Sequence, residues 1–372
     1  LSLVIQSVFK KVERPLLLLL NDKEEAAYYL NDLEQFIGEQ DVLFYPGSYR
    51  RPYQIEDTDN ANVLLRAEVL NRINSRKKPA VIVSYPEALF EKVVTKKELE
   101  KNTLKVAVGD KISIEFINEV LFEYEFKRVD FITEPGEFSV RGGIIDVFSF
   151  SNDNPYRIEF FGNEVDSIRS FDVETQLSIE RQKKIAIIPN VENKFFQENR
   201  ESFLEYIDSK TIVAIQNTEL LLSKLDKLFN KAGEIYSTLN ATIQHVAPEK
   251  LFLNQTEFLK KSLDFSVIEM GTAPVYKITK AFEFHIQPQP SFNKQFDLLL
   301  NNLNDNHFNG YKNYLFCSND AQAKRFHDIF ESLDEVNHES IRKQYHTITL
   351  PIYQGFVDEE HQIACYTDHQ IF

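Results

Sequence analysis

The sequence contains no Gly-Lys pair, so it lacks the G-x-x-x-x-G-K-S/T loop that holds the phosphates of a nucleotide. Such a loop needs glycine because its backbone N–H groups must approach the phosphates closely. The adjacent glycines Gly142 and Gly143 lie between two predicted strands, with no helix after them. We therefore expect neither ATPase activity nor a bound cofactor in this chain.

Cysteine is scarce: Cys317 and Cys365 both stand in apolar, strand-like contexts. Buried free thiols are typical of a reducing cytosol, which predicts a cytoplasmic protein. The longest apolar run, Leu16 to Leu20, is too short to cross a bilayer, and no secretory signal is visible, so no membrane contact is expected. The chain begins at Leu1 rather than at a methionine, so we expect a piece of a longer protein.

Residue patterns typical of catalysis are missing as well. No serine occupies a G-x-S-x-G elbow, and no C-x-x-C or H-E-x-x-H spacing occurs. His361 and His369, with Asp368 beside them, do not match a metal-ligand pattern and are interpreted as structural or surface histidines. The pair Glu24-Glu25 falls in the first turn of a predicted helix, where the helix dipole explains it. We predict no catalytic and no metal-binding residues.

Positive charge is in deficit, with 42 Lys and Arg against 57 Asp and Glu and a formal net charge of −15. Phosphate contacts need clustered Lys and Arg, so this chain is not expected to be a dedicated DNA-binding protein. One cluster, SYRRPY, mixes arginine with tyrosine, as nucleic-acid contacts do. An ordinary surface loop has the same composition, so Arg50 and Arg51 are candidate nucleic-acid contacts with a solvated loop as the alternative.

The pattern along the 372 residues indicates several domains, because the chain is too long for one core. Apolar strands alternate with helices over 1–94 and again over 190–280, which predicts one parallel, doubly wound α/β domain in two halves. Over 95–189, one helix precedes strands of alternating polarity, which predicts an inserted antiparallel α+β domain. Residues 281–372 are predicted to form a second small α/β domain.

Arginine recurs within two predicted strands of the inserted domain. Side chains alternate between the faces of a strand. In YRIEFF, Ile158 and Phe160 are therefore predicted to face the core, which leaves Arg157, Glu159 and Phe161 on the opposite face.

The strand EFSVR places Ser139 and Arg141 on its outward face by the same rule. If the two strands are neighbours, one sheet face carries both arginines, Glu159 and Phe161. Arginine and aromatic side chains together are typical of a protein interface. The alternative is a solvated sheet face with an Arg–Glu pair of little energetic value.

These strings carry a family resemblance. PGEFSVRGGIIDVF followed by YRIEFFGNEVDSIRSFD resembles the central domain shared by the excision-repair subunit UvrB and the bacterial transcription-repair coupling factors (Mfd). RPLLLLLNDKEEAAYYLNDLEQF, SYRRPYQIEDTDNANVLLRAEVLNRI and GFVDEEHQIACYTDHQIF resemble the coupling factors and not UvrB. The chain therefore looks like the N-terminal, UvrB-like region of a coupling factor, with a degenerate helicase-like first domain.

The resemblance implies a function. Coupling factors recognise RNA polymerase stalled at a lesion, displace it with an ATP-driven DNA translocase and recruit the UvrA subunit. The motor, with its ATP and magnesium, and the contacts to RNA polymerase and duplex DNA would lie downstream of this chain. Residues that bind UvrA in the family map onto Arg141, Arg157 and Phe161, with Glu159 between them. UvrB has a further arginine where this chain has Ser139, so one contact is absent from the pattern.

Two departures from UvrB indicate a UvrB-like module that has lost ATP and lesion handling and kept partner binding. The phosphate-binding loop of UvrB is degenerate in coupling factors, and the long hairpin with which UvrB probes damaged DNA corresponds here to a short polar loop.

The resemblance also implies that a C-terminal domain masks this domain in the complete coupling factor until the motor engages. We therefore expect this chain to bind its partner constitutively.

Three hypotheses follow. The first is a recruitment module without enzymatic activity that binds UvrA. The second is a UvrB-type subunit that grips damaged DNA itself, which retained binding of ATP or lesion DNA would favour. The third is an α/β scaffold whose arginines are surface residues without a partner.

Overall fold

The computed structural model describes residues 1–48, 53, 60–76, 78–150, 152, 154–189, 200–239, 246–271, 273–333 and 344–371. It divides into two compact units. The larger unit comprises Phe9–Ala26 and Asp41–Val275, and the smaller unit comprises Leu1–Val8, Ala27–Gln40 and Tyr276–Phe372.

The helices among the described residues are α1 (Ser2–Val12), α2 (Lys23–Ile37), α3 (Asn60–Ser75), α4 (Pro86–Phe90), α5 (Lys96–Lys101), α6 (Ile114–Glu123), α7 (Phe203–Tyr206), α8 (Thr218–Thr238), α9 (Pro248–Leu251), α10 (Gln255–Ser262), α11 (Phe296–Phe308), α12 (Asp320–Leu333) and α13 (Asp368–Ile371). A single 3₁₀ turn spans Glu39–Asp41 in the same part of the chain.

The strands are β1 (Leu16–Leu19), β2 (Val42–Phe44), β3 (Val81–Ser84), β4 (Val93–Val94), β5 (Leu104–Ala107), β6 (Lys127–Arg128), β7 (Glu137–Arg141), β8 (Ile144–Val147), β9 (Tyr156–Phe161), β10 (Glu164–Phe171), β11 (Ser178–Gln182), β12 (Lys184–Ile187), β13 (Arg200–Glu201), β14 (Ile212–Ile215), β15 (Ser266–Glu269), β16 (Ile286–Pro288), β17 (Lys312–Cys317), β18 (Tyr345–Thr349), β19 (Phe356–Asp358) and β20 (Ile363–Thr367).

A five-stranded parallel sheet of order β15-β14-β1-β3-β2 lies in the larger unit. The central strand β1 pairs in parallel with β14 and with β3. Its sequence LLLL is apolar at every position because a central parallel strand is covered on both faces, and all its side chains are buried. Strands from before residue 94 and after residue 212 therefore share one sheet.

A six-stranded sheet of order β11-β10-β9-β8-β7-β6 uses the stretch of the larger unit between residues 127 and 182. Its strands pair antiparallel from β7 to β11, and β6 joins β7 in parallel. Gly142, at φ +59°, and Gly162, at φ +62°, begin the two-residue turns after β7 and β9, where the positive φ favours glycine. One face of the sheet is closed by α6 and the core side chains Ile117, Leu121, Phe138, Ile145, Val147, Ile158, Val165 and Ile168.

The smaller unit holds a five-stranded mixed sheet of order β16-β19-β20-β17-β18. β17 pairs in parallel with β18 and β20, whereas β19 pairs antiparallel with β16 and β20. Apolar side chains of α11 and α12 pack on it, among them Leu299, Leu303, Phe326 and Phe330. The protein is thus mixed α/β, with parallel and antiparallel sheets, as the sequence predicted; the predicted domain limits stay predictions.

Local signals explain individual elements. Helix α2 begins after Asp22, whose Oδ1 accepts the Glu25 N–H at 2.9 Å, as expected of a capping aspartate. Helix α8 continues to Thr238 because its apolar spacing continues and Ala232 is buried. In the described part of the chain, none of the helices has the length and apolar character required to cross a membrane.

Candidate partner-binding site

The antiparallel sheet has a second face, opposite its core, and the strand register decides which side chains meet there. Asp146 of β8 stands opposite Ser139 of β7 and opposite Arg157 of β9. Ile144, two residues earlier on β8, stands between Arg141 and Glu159. Because side chains on directly opposed residues point the same way, the predicted site residues of β7 and β9 lie on one face, which we call the polar face.

Arg157 is held by a buried carboxylate. Its Nε donates to Asp146 Oδ1 at 2.7 Å and its Nη2 donates to Asp146 Oδ2 at 2.9 Å, a two-point pair. The guanidinium carbon lies 4.4 Å from the ring centroid of Phe171, which is itself fully buried. The hydrogen bonds to Asp146 raise the pKa of Arg157 above its usual value. Its side chain is 17% exposed and that of Asp146 is 1% exposed, so the arginine presents one edge to solvent over a buried anchor.

Arg141 uses the same anchor. Its Nη2 forms a short ion pair with Asp146 Oδ2, and its guanidinium carbon lies 5.2 Å from the ring centroid of Phe131. The Arg141 side chain is 41% exposed and Phe131 is 64% exposed. One buried carboxylate therefore orients two arginines, of which Arg141 is the more accessible.

Sequence reasoning did not single out Asp146. The signal was present, because an aspartate interrupts the apolar strand IIDVF at a position that alternation places on the polar face. Its contact with both arginines could not be read from the sequence, since it depends on which strands are neighbours.

Glu159 has its partners on β10, whereas Arg141 and Arg157 both contact Asp146 of β8. Its carboxylate accepts a hydrogen bond from Ser167 Oγ at 2.5 Å and forms a short ion pair with Arg169, both on β10. The side chains of Glu159 and Arg169 are 28% and 32% exposed. Glu159 therefore neutralises an arginine of the next strand rather than Arg157.

Phe161 ends β9 and is 84% exposed, which places a large apolar ring in water. It borders a shallow groove together with Lys111, Ser113, Asn163 and Glu164. Ser139, predicted to point outward, is only 2% exposed although it lies opposite Asp146. The accessible part of the polar face therefore comprises Phe131, Arg141, one edge of Arg157 and Phe161.

The carboxyl edge of the parallel sheet is where doubly wound proteins bind ligands. Here Glu25 accepts a hydrogen bond from Gln216 Nε2 at 2.7 Å, and Lys224 Nζ lies 2.9 Å from Glu87 Oε1 and 2.9 Å from the Asn21 carbonyl oxygen. The edge is thus occupied by contacts among the protein's own side chains. The predicted lack of a nucleotide site stays a prediction.

The other residues singled out from the sequence lie outside the polar face. Arg50 and Arg51 lie outside the described residues. His361 contacts Asp358 at 3.0 Å, and the ring of His369 stacks on Tyr353. Across the described ranges, no group of three or more His, Cys, Asp or Glu residues has a geometry that could hold a metal ion. Both cysteines are buried and free, and burial raises the pKa of each thiol to about 12.

Comparison with known proteins matches the stretch of sequence that contains the polar face to a known domain family. Residues 104–193 match the family model of the UvrB interaction domain. Every predicted partner-binding residue, and Asp146 with them, falls in that range.

Similarity to transcription-repair-coupling factors covers more of the chain than the match to this domain does. The chain is 31% identical over 257 residues to the transcription-repair-coupling factor of Bacillus subtilis, which covers 69% of this chain and 21% of that protein. It is 33% identical over 186 residues to that of Staphylococcus haemolyticus, covering 50% of this chain and 16% of that protein. The corresponding factor of Myxococcus xanthus is 30% identical over 204 residues, 53% of this chain and 17% of its own length.

These matches confirm the resemblance predicted from the sequence: the chain is similar to the N-terminal, UvrB-like region of the transcription-repair coupling factors. The match covers 69% of this chain but only 21%, about a fifth, of the length of the Bacillus subtilis relative.

Proposed function

We propose that this chain, which carries a UvrB interaction domain and resembles the transcription-repair coupling factors, is a recruitment module that binds the repair subunit UvrA. The binding surface is the polar face of the antiparallel sheet, and the contact residues are Arg141, Arg157, Glu159 and Phe161. The observation that carries this proposal is the buried Asp146, which holds two arginines on the same sheet face as Phe161, a ring that is 84% exposed.

The geometry suits a binding hot spot for a physical reason. A flexible arginine loses side-chain entropy when a partner immobilises it, and that loss weakens binding. Arg157 is already fixed by two hydrogen bonds and by the Phe171 ring, so little entropy remains to be lost. Burial of a large ring such as Phe161, exposed in the free chain, then adds the apolar contribution that hot spots usually show.

For the complete protein, we propose the activity of the family. An ATP-dependent translocase downstream of this chain, using ATP and magnesium, would displace stalled RNA polymerase from duplex DNA in the cytoplasm. The present chain would supply no catalytic group and would bring the excision-repair machinery to the lesion. Its UvrB-like α/β domain would act as the scaffold in which the UvrA-binding domain is inserted.

The proposal is tested by calorimetry with purified UvrA. The unaltered chain is expected to bind with micromolar affinity or tighter, and Arg157→Ala and Phe161→Ala are each expected to weaken binding by about 2 kcal/mol or more. Phe308→Ala is the matched control, because Phe308 is 86% exposed, compared with 84% for Phe161, and lies at the end of α11.

Binding that ignores both substitutions would move the contact surface elsewhere. No binding by the unaltered chain would contradict the proposed function. A chain that instead bound lesion-containing DNA with the same affinity as UvrB would favour a damage-binding role.

Masking gives a second test. If the complete protein covers this face with its C-terminal domain, the isolated chain binds UvrA more tightly than the complete protein does. Equal affinities would count against masking.

A further inference from the structure

Three arginines stand side by side across neighbouring strands of the polar face. Arg157 of β9 is directly opposite Arg169 of β10, and Arg169 is directly opposite Arg181 of β11. Like charges in directly opposed positions of an antiparallel pair destabilise the sheet. We call these residues the arginine row.

The row is not fully neutralised by the protein. Asp146 already serves both Arg141 and Arg157, and Glu159 pairs with Arg169. The Nε of Arg169 is buried and has no hydrogen-bond partner in the described structure. The side chain of Arg181 is exposed and forms no ion pair or hydrogen bond with any other described residue.

Exposed apolar side chains lie on or beside the strands that carry the row. On the side of β11, Leu177 and Ile179 are 69% and 56% exposed, and Phe161 at the end of β9 is 84% exposed. Solvated apolar groups next to unpaired arginine are the composition of a protein interface rather than of a phosphate-binding surface.

We propose that the arginine row extends the interface as far as β11 and that it receives a carboxylate-bearing segment of the same protein partner. This inference rests on the proposed function and adds Arg169 and Arg181 to its surface. Arg181 supplies an unpaired charge at the rim, where it attracts the acidic segment and pairs with it on contact.

A graded charge series at Arg181 tests the row, with the chain and purified UvrA measured at low and moderate salt. Arg181→Gln is expected to weaken binding severalfold, and Arg181→Glu about tenfold at low salt, mainly through slower association. The difference from the unaltered chain is expected to shrink as salt rises, because the ions screen a rim charge.

The same series has an opposite expected effect on stability. Arg181→Glu converts a repulsive pair with Arg169 into an attractive one, so thermal unfolding is expected to move to a higher temperature. A purely structural arginine would lose stability and affinity together, whereas a partner-binding arginine gains the first and loses the second. Arg325→Glu, at an exposed arginine of α12, is the control for a change of the chain's net charge.

Each outcome decides the inference. Unchanged affinity and salt dependence in Arg181→Glu, with Arg157→Ala still impaired, would overturn the row and leave the proposed function standing. No UvrA binding by the unaltered chain would overturn both. Salt-sensitive binding of duplex DNA that Arg181→Glu abolishes, measured by fluorescence anisotropy, would replace the acidic partner with a nucleic acid.

Discussion

Two buried carboxylates of this protein each hold an arginine, yet their surroundings differ. In the α/β part, Glu91 pairs with Arg66 at 3.4 Å, and their side chains are 3% and 1% exposed. In the antiparallel sheet, Asp146 pairs with Arg157, whose side chain is 17% exposed, and with Arg141, whose side chain is 41% exposed. Both Arg66 and Arg157 also lie 4.4 Å from an aromatic ring, of Tyr45 and Phe171 respectively.

The partners of the two arginines explain the difference. Arg66 also donates to the carbonyl oxygens of Pro46 and Ala88, at 2.8 Å and 3.1 Å, so its donors join the segment after β2 to helix α4. Arg157 and Arg141 both donate to the carboxylate of Asp146, and each guanidinium keeps one edge exposed to solvent. A buried carboxylate that pairs with arginine therefore occurs in two settings, and the exposure of the arginine distinguishes them: Arg66 is enclosed in the fold, whereas Arg157 and Arg141 stay accessible to the proposed partner.

The largest effect on stability is expected when the buried pair of Arg66 and Glu91 is broken. Arg66→Ala removes the cation that lies 3.4 Å from the buried carboxylate of Glu91, which is expected to cost about 3–5 kcal/mol of unfolding free energy. Urea unfolding measures it. Arg72→Ala on the same helix is the control, since its pair with Glu68 is partly solvated and is expected to contribute less than about 1 kcal/mol. Similar losses in the two variants would mean that burial does not set the value of these pairs.

The next largest effect is expected when Asp146, which holds the two arginines of the polar face, loses its charge. Asp146→Asn keeps the shape of the side chain but removes the charge that both arginines contact, so UvrA affinity is expected to fall about tenfold, or about 1.4 kcal/mol. Stability is expected to fall by about 1–3 kcal/mol, because a charged hydrogen-bond acceptor is lost in a buried position.

A double-mutant cycle separates orientation from general damage. In an Arg141→Ala, Arg157→Ala background, Asp146→Asn has nothing left to orient, so its effect on affinity is expected to vanish. The exposed Asp166→Asn on β10 is the control. An effect of Asp146→Asn that persists undiminished in the double-alanine background would contradict an orienting role.

A smaller effect concerns the ring beneath Arg141. Phe131→Ala removes a solvated cation–π contact, so affinity for UvrA is expected to fall by about 0.5–1 kcal/mol with little change in stability. Calorimetry compares it with Phe284→Ala, a phenylalanine of similar exposure, 58% against 64%. Equal affinities of the two variants would remove Phe131 from the interface.

The smallest expected effect is at Glu159. Glu159→Gln breaks a half-solvated pair with Arg169, and the unfolding free energy is expected to fall by about 1 kcal/mol or less, with a difference that disappears at high salt. Glu68→Gln is closely matched, because Glu68 is 26% exposed and Glu159 is 28% exposed. A loss at Glu159 as large as that at Arg66 would show that the polar face is a folding element.

Much of the fold was accessible from local patterns. The apolar strand before Asn21-Asp22, the helix after it and the alternation in YRIEFF all follow from propensity and periodicity within a few residues. That is why the common face of Arg157, Glu159 and Phe161 could be predicted. Ser139 illustrates the limit, because alternation gave the correct face but not the burial, which depends on the neighbouring side chains.

The sequence by itself determined the elements and the direction of their side chains, since strand and helix periods are properties of the local backbone. Only the tertiary structure decided the partners. Asp146 meets Arg157 because β8 and β9 pair in one register, and the arginine row exists because β10 and β11 continue that register. Glu91 reaches Arg66 from another element altogether. Charge pairing and burial depend on distance through space, and distance along the chain does not specify it.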